Sequence, residues 1–394
     1  MGTDLISIKA RYQRELLGSV VPFWEAHGLD TVNGGYNTFL DRDGTIYDNE
    51  KWGWMQWRSV YTWATLAMSP HADEKRETWI DHARQGFDFL QQYGRDSDGN
   101  HHFVLSGDGA PVVGPVNIFT EAFAVMGSAA LHAATGEGHF KEAALDAMSR
   151  YIARIPDPKG RWNKRLPTAP VRLALGPRMI LANLGVVVKE CLGVGTYDDA
   201  VSNAVDAVIS TFWRPELGIV LENVNPDGSV DMGSCDGRLV NPGHGLETSW
   251  FMLQHAERTG CLDLVPTTCT IIKAMLDFGW DNEHGGIFYF MDAAGKPHVE
   301  LSWDMKLWWV HLEALVATLK AYRLSGDGEF LAWFEKIDEW TWLHFPDPEF
   351  GEWFGYLNRR GEPTHALKAG RWKGFFHLPR ALMLCIDELE RLDT

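Results

Sequence analysis

Apolar residues spaced i, i+3, i+4 and i+7 recur along the chain in twelve runs, the periodicity of helices that bury one face. They are read at about 5–27, 55–69, 74–94, 117–135, 139–155, 176–193, 196–214, 243–259, 262–279, 303–325, 327–345 and 374–392. Gly94, Gly136, Gly193, Gly260 and Gly326 follow five of these runs, where a left-handed C-cap favours glycine. Between helix pairs the period drops to two. Gly35 opens GYNTFLDRDG and Gly286 opens GIFYFMDAAG, while Gly218 (GIVLENVNPDG) and Gly351 (GEWFGYLNRRG) open the same unit with one extra residue. Gly99 (GNHHFVLSGDG) begins a looser copy and Gly160 (GRWNKRLP) a degenerate one. Alternation bounded by Asn, Asp and Gly predicts short β-hairpins. The six glycines are spaced by 64, 61, 58, 68 and 65 residues, so the chain is six repeats of one hairpin and two helices. Six such units predict an all-α (α/α)6 barrel of twelve helices with short β-hairpins at one end; an open solenoid is the alternative. No low-complexity linker divides the chain, so 1–394 is read as a single domain.

Composition narrows the function. Hydrophobic residues at 45% and charged residues at 23% are a globular balance that excludes a wholly disordered chain. A net charge of −17 argues against a nucleic-acid partner, which needs a basic footprint. Five cysteines without a C-x-x-C pair read as reduced, mostly buried thiols rather than disulfides or a zinc site. No apolar run approaches a membrane span, and MGTDLISIKARYQ matches neither a secretory leader nor the myristoylation pattern. The expectation is a cytoplasmic protein with no membrane partner, a homodimer being left open.

Nucleotide, zinc-protease and nucleophile-elbow motifs are absent, which points to chemistry done by side chains alone, with no metal. The His101–His102 pair sits in a polar hairpin and is expected to face solvent. In each repeat the helix after the hairpin carries one polar group 22 to 27 residues beyond the glycine: Arg58, Glu121, Asn183, His244, Glu313 and His377. Polar groups inside apolar, Trp-rich helices are costly unless paired. Six of them at one barrel mouth mark a site. Imidazoles can take and return a proton near neutrality, and Glu247, one turn after His244, could orient that ring or hold a substrate hydroxyl. Arg58 suits a developing enolate oxygen. Trp52, Trp54, Trp57, Trp308, Trp309 and Trp372 could stack on sugar faces. The set favours proton abstraction beside a carbonyl.

At these residues the chain resembles the N-acylglucosamine 2-epimerase family. The likeness runs over nearly the whole length, in KLWWVHLEAL, DPEFGEWFGYLNRRGE, WKGFFHLPRALMLC, GHGLETSW and WMQWRSVY. The resemblance implies the (α/α)6 barrel and an isomerase that interconverts N-acetylglucosamine and N-acetylmannosamine without a required cofactor. It implies His244 and His377 as the acid–base pair flanking C2 of the open-chain sugar, Arg58 on the oxyanion, and Glu247 and Glu313 positioning substrate or histidine. Trp54, Glu121, Asn183, Trp308, Trp309, Trp372 and Lys373 are the expected substrate-binding residues. Relatives acting on unmodified sugars carry a further histidine near the start of the third inner helix; here that segment is GPRMILANL, which favours the N-acylated branch. Val310 stands where compared relatives often have proline. PKGRWNKRLP is similar to a segment of bacterial N-acylglucosamine epimerases, some of which use ATP as an unconsumed activator; a solvated basic hairpin is the other reading. The rival functions are an epimerase or aldose–ketose isomerase of free sugars, a glycosidase using Glu247 or Glu313 with Asp304, and a non-catalytic sugar-binding protein.

Overall fold

The computed structural model describes residues 4–166, 168–169 and 171–393. Residues 1–3, where the N-terminal reading begins, and Pro167, which ends the PKGRWNKRLP segment, lie outside the described residues. Twelve long helices occur in the expected order. Helix α1 (5–27) is α-turned over Leu5–Glu15 and Val21–His27, with a π-turned stretch, Leu16–Val20, between them. There follow α2 Gly53–Met68, α3 Arg76–Tyr93, α4 Phe119–Thr135, α5 Gly138–Arg154 and α6 Leu175–Leu192. Helix α7 (198–212) runs from Asp198–Ala207 into a second π-turned stretch, Val208–Phe212. The rest are α8 Pro242–Thr259, α9 Leu264–Gly279, α10 Trp308–Ser325, α11 Gly328–His344 and α12 His377–Leu392. Helix α10 begins later than its periodicity predicts because Lys306–Leu307 pairs as a strand, and a single-turn helix, Cys235–Arg238, adds an element too short for periodicity to register.

Even-numbered helices form the inner ring, each packed on the next from α2 to α12. Their sequences are apolar nearly all round, as a helix surrounded by protein must be; α10 is buried at every position from Trp308 to Ala321. The ring closes. Thr62 of α2 donates to the Phe375 carbonyl just before α12 (2.6 Å). In the outer ring α1 joins both neighbours: Arg11 and Tyr12 donate to Asp338 of α11 (2.5 and 2.7 Å), while Glu25 accepts from Lys75 and Trp79 at the start of α3 (3.0 and 2.9 Å). These contacts exclude the open solenoid.

The hairpins do more than turn the chain. The strand preceding an inner helix pairs antiparallel with the hairpin of the following repeat: Lys51–Trp52 with Val104–Leu105, Leu173–Ala174 with Asn223–Val224, Leu239–Val240 with Met291–Asp292, and Lys306–Leu307 with Tyr356–Leu357. Three of the turns open on an aspartate whose charge is met by a lysine preceding an inner helix: Lys51–Asp30 (2.7 Å), Lys306–Asp281 (3.2 Å) and Lys368–Asp347 (2.8 Å). All six repeat glycines have positive φ, from 49° to 80°, which explains why the spacing was legible: a side chain there would be strained. The degenerate copy departs from its prediction, since Gly160–Trp162 is a 3₁₀ turn and not a hairpin. Gly136, Gly193, Gly260 and Gly326 are left-handed caps as expected, but Gly94 is right-handed; it is required because a Cβ would lie 2.4 Å from the Leu90 carbonyl. All five thiols are free; Cys269 and Cys385 are buried, Cys191 and Cys235 half-buried, and Cys261 exposed, against expectation. Among the described residues no helix is long and apolar enough to cross a membrane.

Candidate active site

The first turns of all six inner helices line one cavity of about 590 Å³, with the loops around Tyr289, Glu300, Tyr356 and Trp372 forming its rim. Six helix N-termini facing one space add their partial positive charges there, a field that favours an anion forming in the cavity. Arg58, Asn183, His244, Glu247 and His377 reach it, as do Trp54, Trp308, Trp309 and Trp372. Trp372 is 57% exposed at the rim and meets Trp54 edge-on at 5.1 Å, forming an aromatic ledge.

His377 begins α12. Its Nδ1 lies 2.6 Å from Glu313 Oε1, which leaves Nε2 as the nitrogen able to exchange a proton with a bound molecule. Glu313 is wholly buried and satisfied three ways: by His377, by Arg380 Nη2 (2.6 Å) and by Trp250 Nε1, which donates to Oε2 (2.7 Å). Arg380, one turn after His377, also donates to Glu247 Oε1 (2.8 Å). Burial, then the guanidiniums of Arg380 and Arg58, hold the His377 pKa well below the ordinary imidazole value. The imidazole is therefore neutral at pH 7, with a lone pair available as a base.

His244 is built differently. Asn241 caps α8 by accepting from the His244 amide (3.2 Å), Pro242 occupies the first turn, and Gly243 lets the helix approach Trp309, where a Cβ would come within 2.8 Å. His244 Nδ1 lies 3.0 Å from Glu222 Oε1, a residue of the preceding hairpin. Burial opposes a charge on this ring, but Glu222, with Glu247 and Glu313 behind it, outweighs burial and raises the His244 pKa. Both imidazoles pack against Trp309, His244 at 5.2 Å and His377 at 5.8 Å between ring centroids.

Arg58 lies buried on the wall, its guanidinium 4.1 Å from the Phe123 ring and 4.9 Å from that of Phe376. Its Nε has no hydrogen-bond partner among the described residues. Burial without a bonded carboxylate pushes its pKa down to about 9, so it remains cationic at neutral pH. A buried guanidinium of this kind is suited to an anion supplied by substrate. Arg58→Lys is expected to lower kcat by about 10²-fold, the typical loss when one oxyanion donor is removed, with the far-ultraviolet circular dichroism spectrum unchanged. A variant retaining more than a tenth of wild-type turnover would remove Arg58 from that role.

Several expectations are corrected. Glu121 does not reach the cavity: it is buried behind α4, bound to Arg154 (2.7 Å) and to the His101 amide (3.3 Å). Lys373 also turns away, into an ion pair with Glu352 and a bond to the Lys368 carbonyl. Glu247 does not orient His244; Arg380 takes its carboxylate and Glu222 does the orienting. Trp57 is core, packed edge-on against Phe87 and His101, and Trp52 stands behind the ledge. His101 is buried under Trp57 and not solvated. Sequence reasoning missed Glu222 and Arg380. The three-residue step from His377 to Arg380 was a usable helical signal; nothing local marks Glu222, which meets His244 only because the hairpin folds back beside the inner helix it precedes.

Glu247, Glu313 and His377 offer ligand atoms within 4.8 Å of one another, a grouping that could hold a cation. Arg380 Nη2 already contacts all three, at 2.8, 2.6 and 3.3 Å, and supplies that positive charge itself. In the PKGRWNKRLP segment Arg161 is paired with Asp96 (2.9 Å) and Asp98 (3.0 Å).

Known proteins are similar to this chain over nearly its whole length. The family model described as N-acylglucosamine 2-epimerase (GlcNAc 2-epimerase) matches residues 34–381. The N-acylglucosamine 2-epimerase of Mus musculus is 39% identical over 96% of this chain and 90% of its own length. That of Homo sapiens is 37% identical over 98% of this chain and 90% of its own. In fold, the cellobiose 2-epimerase of Bacillus thermoamylovorans superposes with a TM-score of 0.83, covering 97% of this chain and 99% of that one at 19% identity.

Proposed function

The chain belongs to the N-acylglucosamine 2-epimerase family, and we propose that His244 and His377 exchange the C2 proton of its open-chain sugar substrate. The protein is an isomerase, a carbohydrate 2-epimerase acting on N-acetylglucosamine and N-acetylmannosamine. One observation carries the mechanism: two imidazoles on different inner helices, each held at Nδ1 by its own carboxylate, share one cavity across Trp309. Epimerisation needs protons at opposite faces of one carbon, which a single fixed ring reaches poorly. One Nε2 takes the C2 proton, and the C–H electron pair moves into the C1–C2 bond while the carbonyl π pair moves onto O1. The new enolate oxygen is placed near Arg58. The other imidazole returns a proton from the opposite face, and the aldehyde re-forms. No redox change occurs, and because imidazole N–H protons exchange with water the hydrogen returned to C2 is supplied by solvent.

The N-acyl preference is supported by Asn183, an amide at the wall of α6 whose Nδ2 makes, among the described residues, only a long contact to Met126 Sδ (3.7 Å). An N-acyl group on C2 also blocks simple conversion to a ketose. Incubation in heavy water, followed by proton NMR, is expected to show N-acetylglucosamine and N-acetylmannosamine interconverting, with loss of the H2 signal and no ketose. Faster turnover of mannose or cellobiose would move the enzyme to the free-sugar branch.

A further inference from the structure

The two histidines are held alike but are not electrically alike. Each donates Nδ1–H to a carboxylate, Glu222 for His244 and Glu313 for His377. The Glu313 charge is spent on Arg380 and Trp250 as well, whereas the Glu222 carboxylate bonds to His244 alone among the described residues. The backbone of Glu222 is pinned on both sides: its N–H donates to the carbonyl of Leu239 (3.1 Å), in the strand ahead of α8, and its carbonyl accepts from Leu175 (2.9 Å), the first residue of α6. The carboxylate is thus held by two neighbouring repeats, in register with the inner helix it serves.

We propose that Glu222 is a positioning residue that makes His244 the imidazole holding the shared proton between turnovers, while Arg380, by occupying Glu313, denies that role to His377. The proposal rests on the two-histidine reading above. The charges facing His244 are Glu222 from the hairpin, Glu247 on its own helix, Glu313 on α10, His377 and Arg380 on α12, Arg58 on α2, and Tyr289 and Glu300 from the rim. Three of those carboxylates favour its cationic form, and burial opposes it. For His377 burial and two guanidiniums act together against a charge, so a proton shared by the two rings rests on His244. Each turnover leaves that proton on the other ring for one direction of reaction, and it must return before the same epimer can react again.

The equilibrium constant fixes the ratio of kcat/KM in the two directions, so removing Glu222 must depress both equally. What it moves is the upper edge of the active pH range, where His244 loses its proton. The test is the pH profile of kcat/KM, measured from each sugar, for the wild type, Glu222→Gln and Glu222→Asp. Glu222→Gln is expected to move the basic limb down by about one pH unit in both directions and leave the acidic limb in place. Glu222→Asp, which keeps the charge, should restore much of the shift. A uniform drop in rate with unmoved limbs would make Glu222 merely structural and overturn the proposal, while C2 exchange by that variant would leave the epimerase reading standing. Nitrogen-15 NMR of the wild-type imidazoles gives a readout that needs no variant: His244 should titrate above a free imidazole, and titration below it would also overturn the proposal. A wild type that exchanges no C2 proton from either sugar would defeat the underlying reading instead.

Discussion

His244→Asn and His377→Asn are each expected to abolish net epimerisation, with losses of about 10²–10⁴-fold, the usual contribution of one general acid–base group. Asparagine keeps a hydrogen-bonding head of similar size, so Glu222 and Glu313 retain a polar neighbour and the fold should survive. The two variants are expected to differ in a second measurement. In heavy water a protein with one remaining imidazole can still remove and return a proton on its own face. Each variant should therefore wash deuterium into C2 of one epimer and not the other, and the two variants should choose opposite epimers. Exchange from both epimers by one variant, or near-normal turnover with circular dichroism intact, would end the two-base mechanism. His377 begins α12 and His244 lies in the first turn of α8, so neither loss removes a helix interior.

Arg380→Leu is expected to be the most destabilising substitution at the site, by about 3–5 kcal/mol, the range for stripping the partner from a buried charge. Arg380 joins Glu247 and Glu313, both buried; without it two carboxylates face each other and His377 in an apolar surround. The loss should shrink as pH falls, because unpaired buried carboxylates take up protons readily and a protonated pair no longer repels. Urea unfolding at pH 5 and pH 8 measures this: a loss that is flat with pH would mean that packing, and not charge, carries the role of Arg380. Arg58 supplies the contrast. Its charge is buried without a bonded carboxylate, which holds its pKa down to about 9 in the folded protein and opposes folding. Arg58→Met should leave stability unchanged or raise it while activity is lost, the pattern of a residue kept for its chemistry.

The repeat was readable from the chain because its markers are local. A glycine at positive φ, an aspartate at the head of a turn and a helical run of apolar residues each satisfy constraints set within about ten residues. Six copies then predicted the barrel, and the equivalent positions led directly to Arg58, Asn183, His244 and His377 on the cavity wall. The same rule failed for Glu121, because equivalence along a repeat places a residue on a helix turn but not on a face: a rotation of one position turns the side chain from the cavity to Arg154. Lys373 failed for a related reason, since a lysine next to buried Glu352 takes the nearer charge. Sequence by itself determined the helices, their number and which end holds the chemistry, and favoured a closed ring that the contacts of α1 and α12 then established. Only the tertiary structure decided the pairings. Glu222 meets His244 across 22 residues and Arg380 meets Glu247 across 133, contacts created when a hairpin folds back on the inner helix it precedes and when the fourth and sixth inner helices, both packed on the fifth, turn side chains into the same space. Those pairings set the charge on each imidazole, because the field at a buried group falls steeply with distance and depends on which carboxylates are already neutralised.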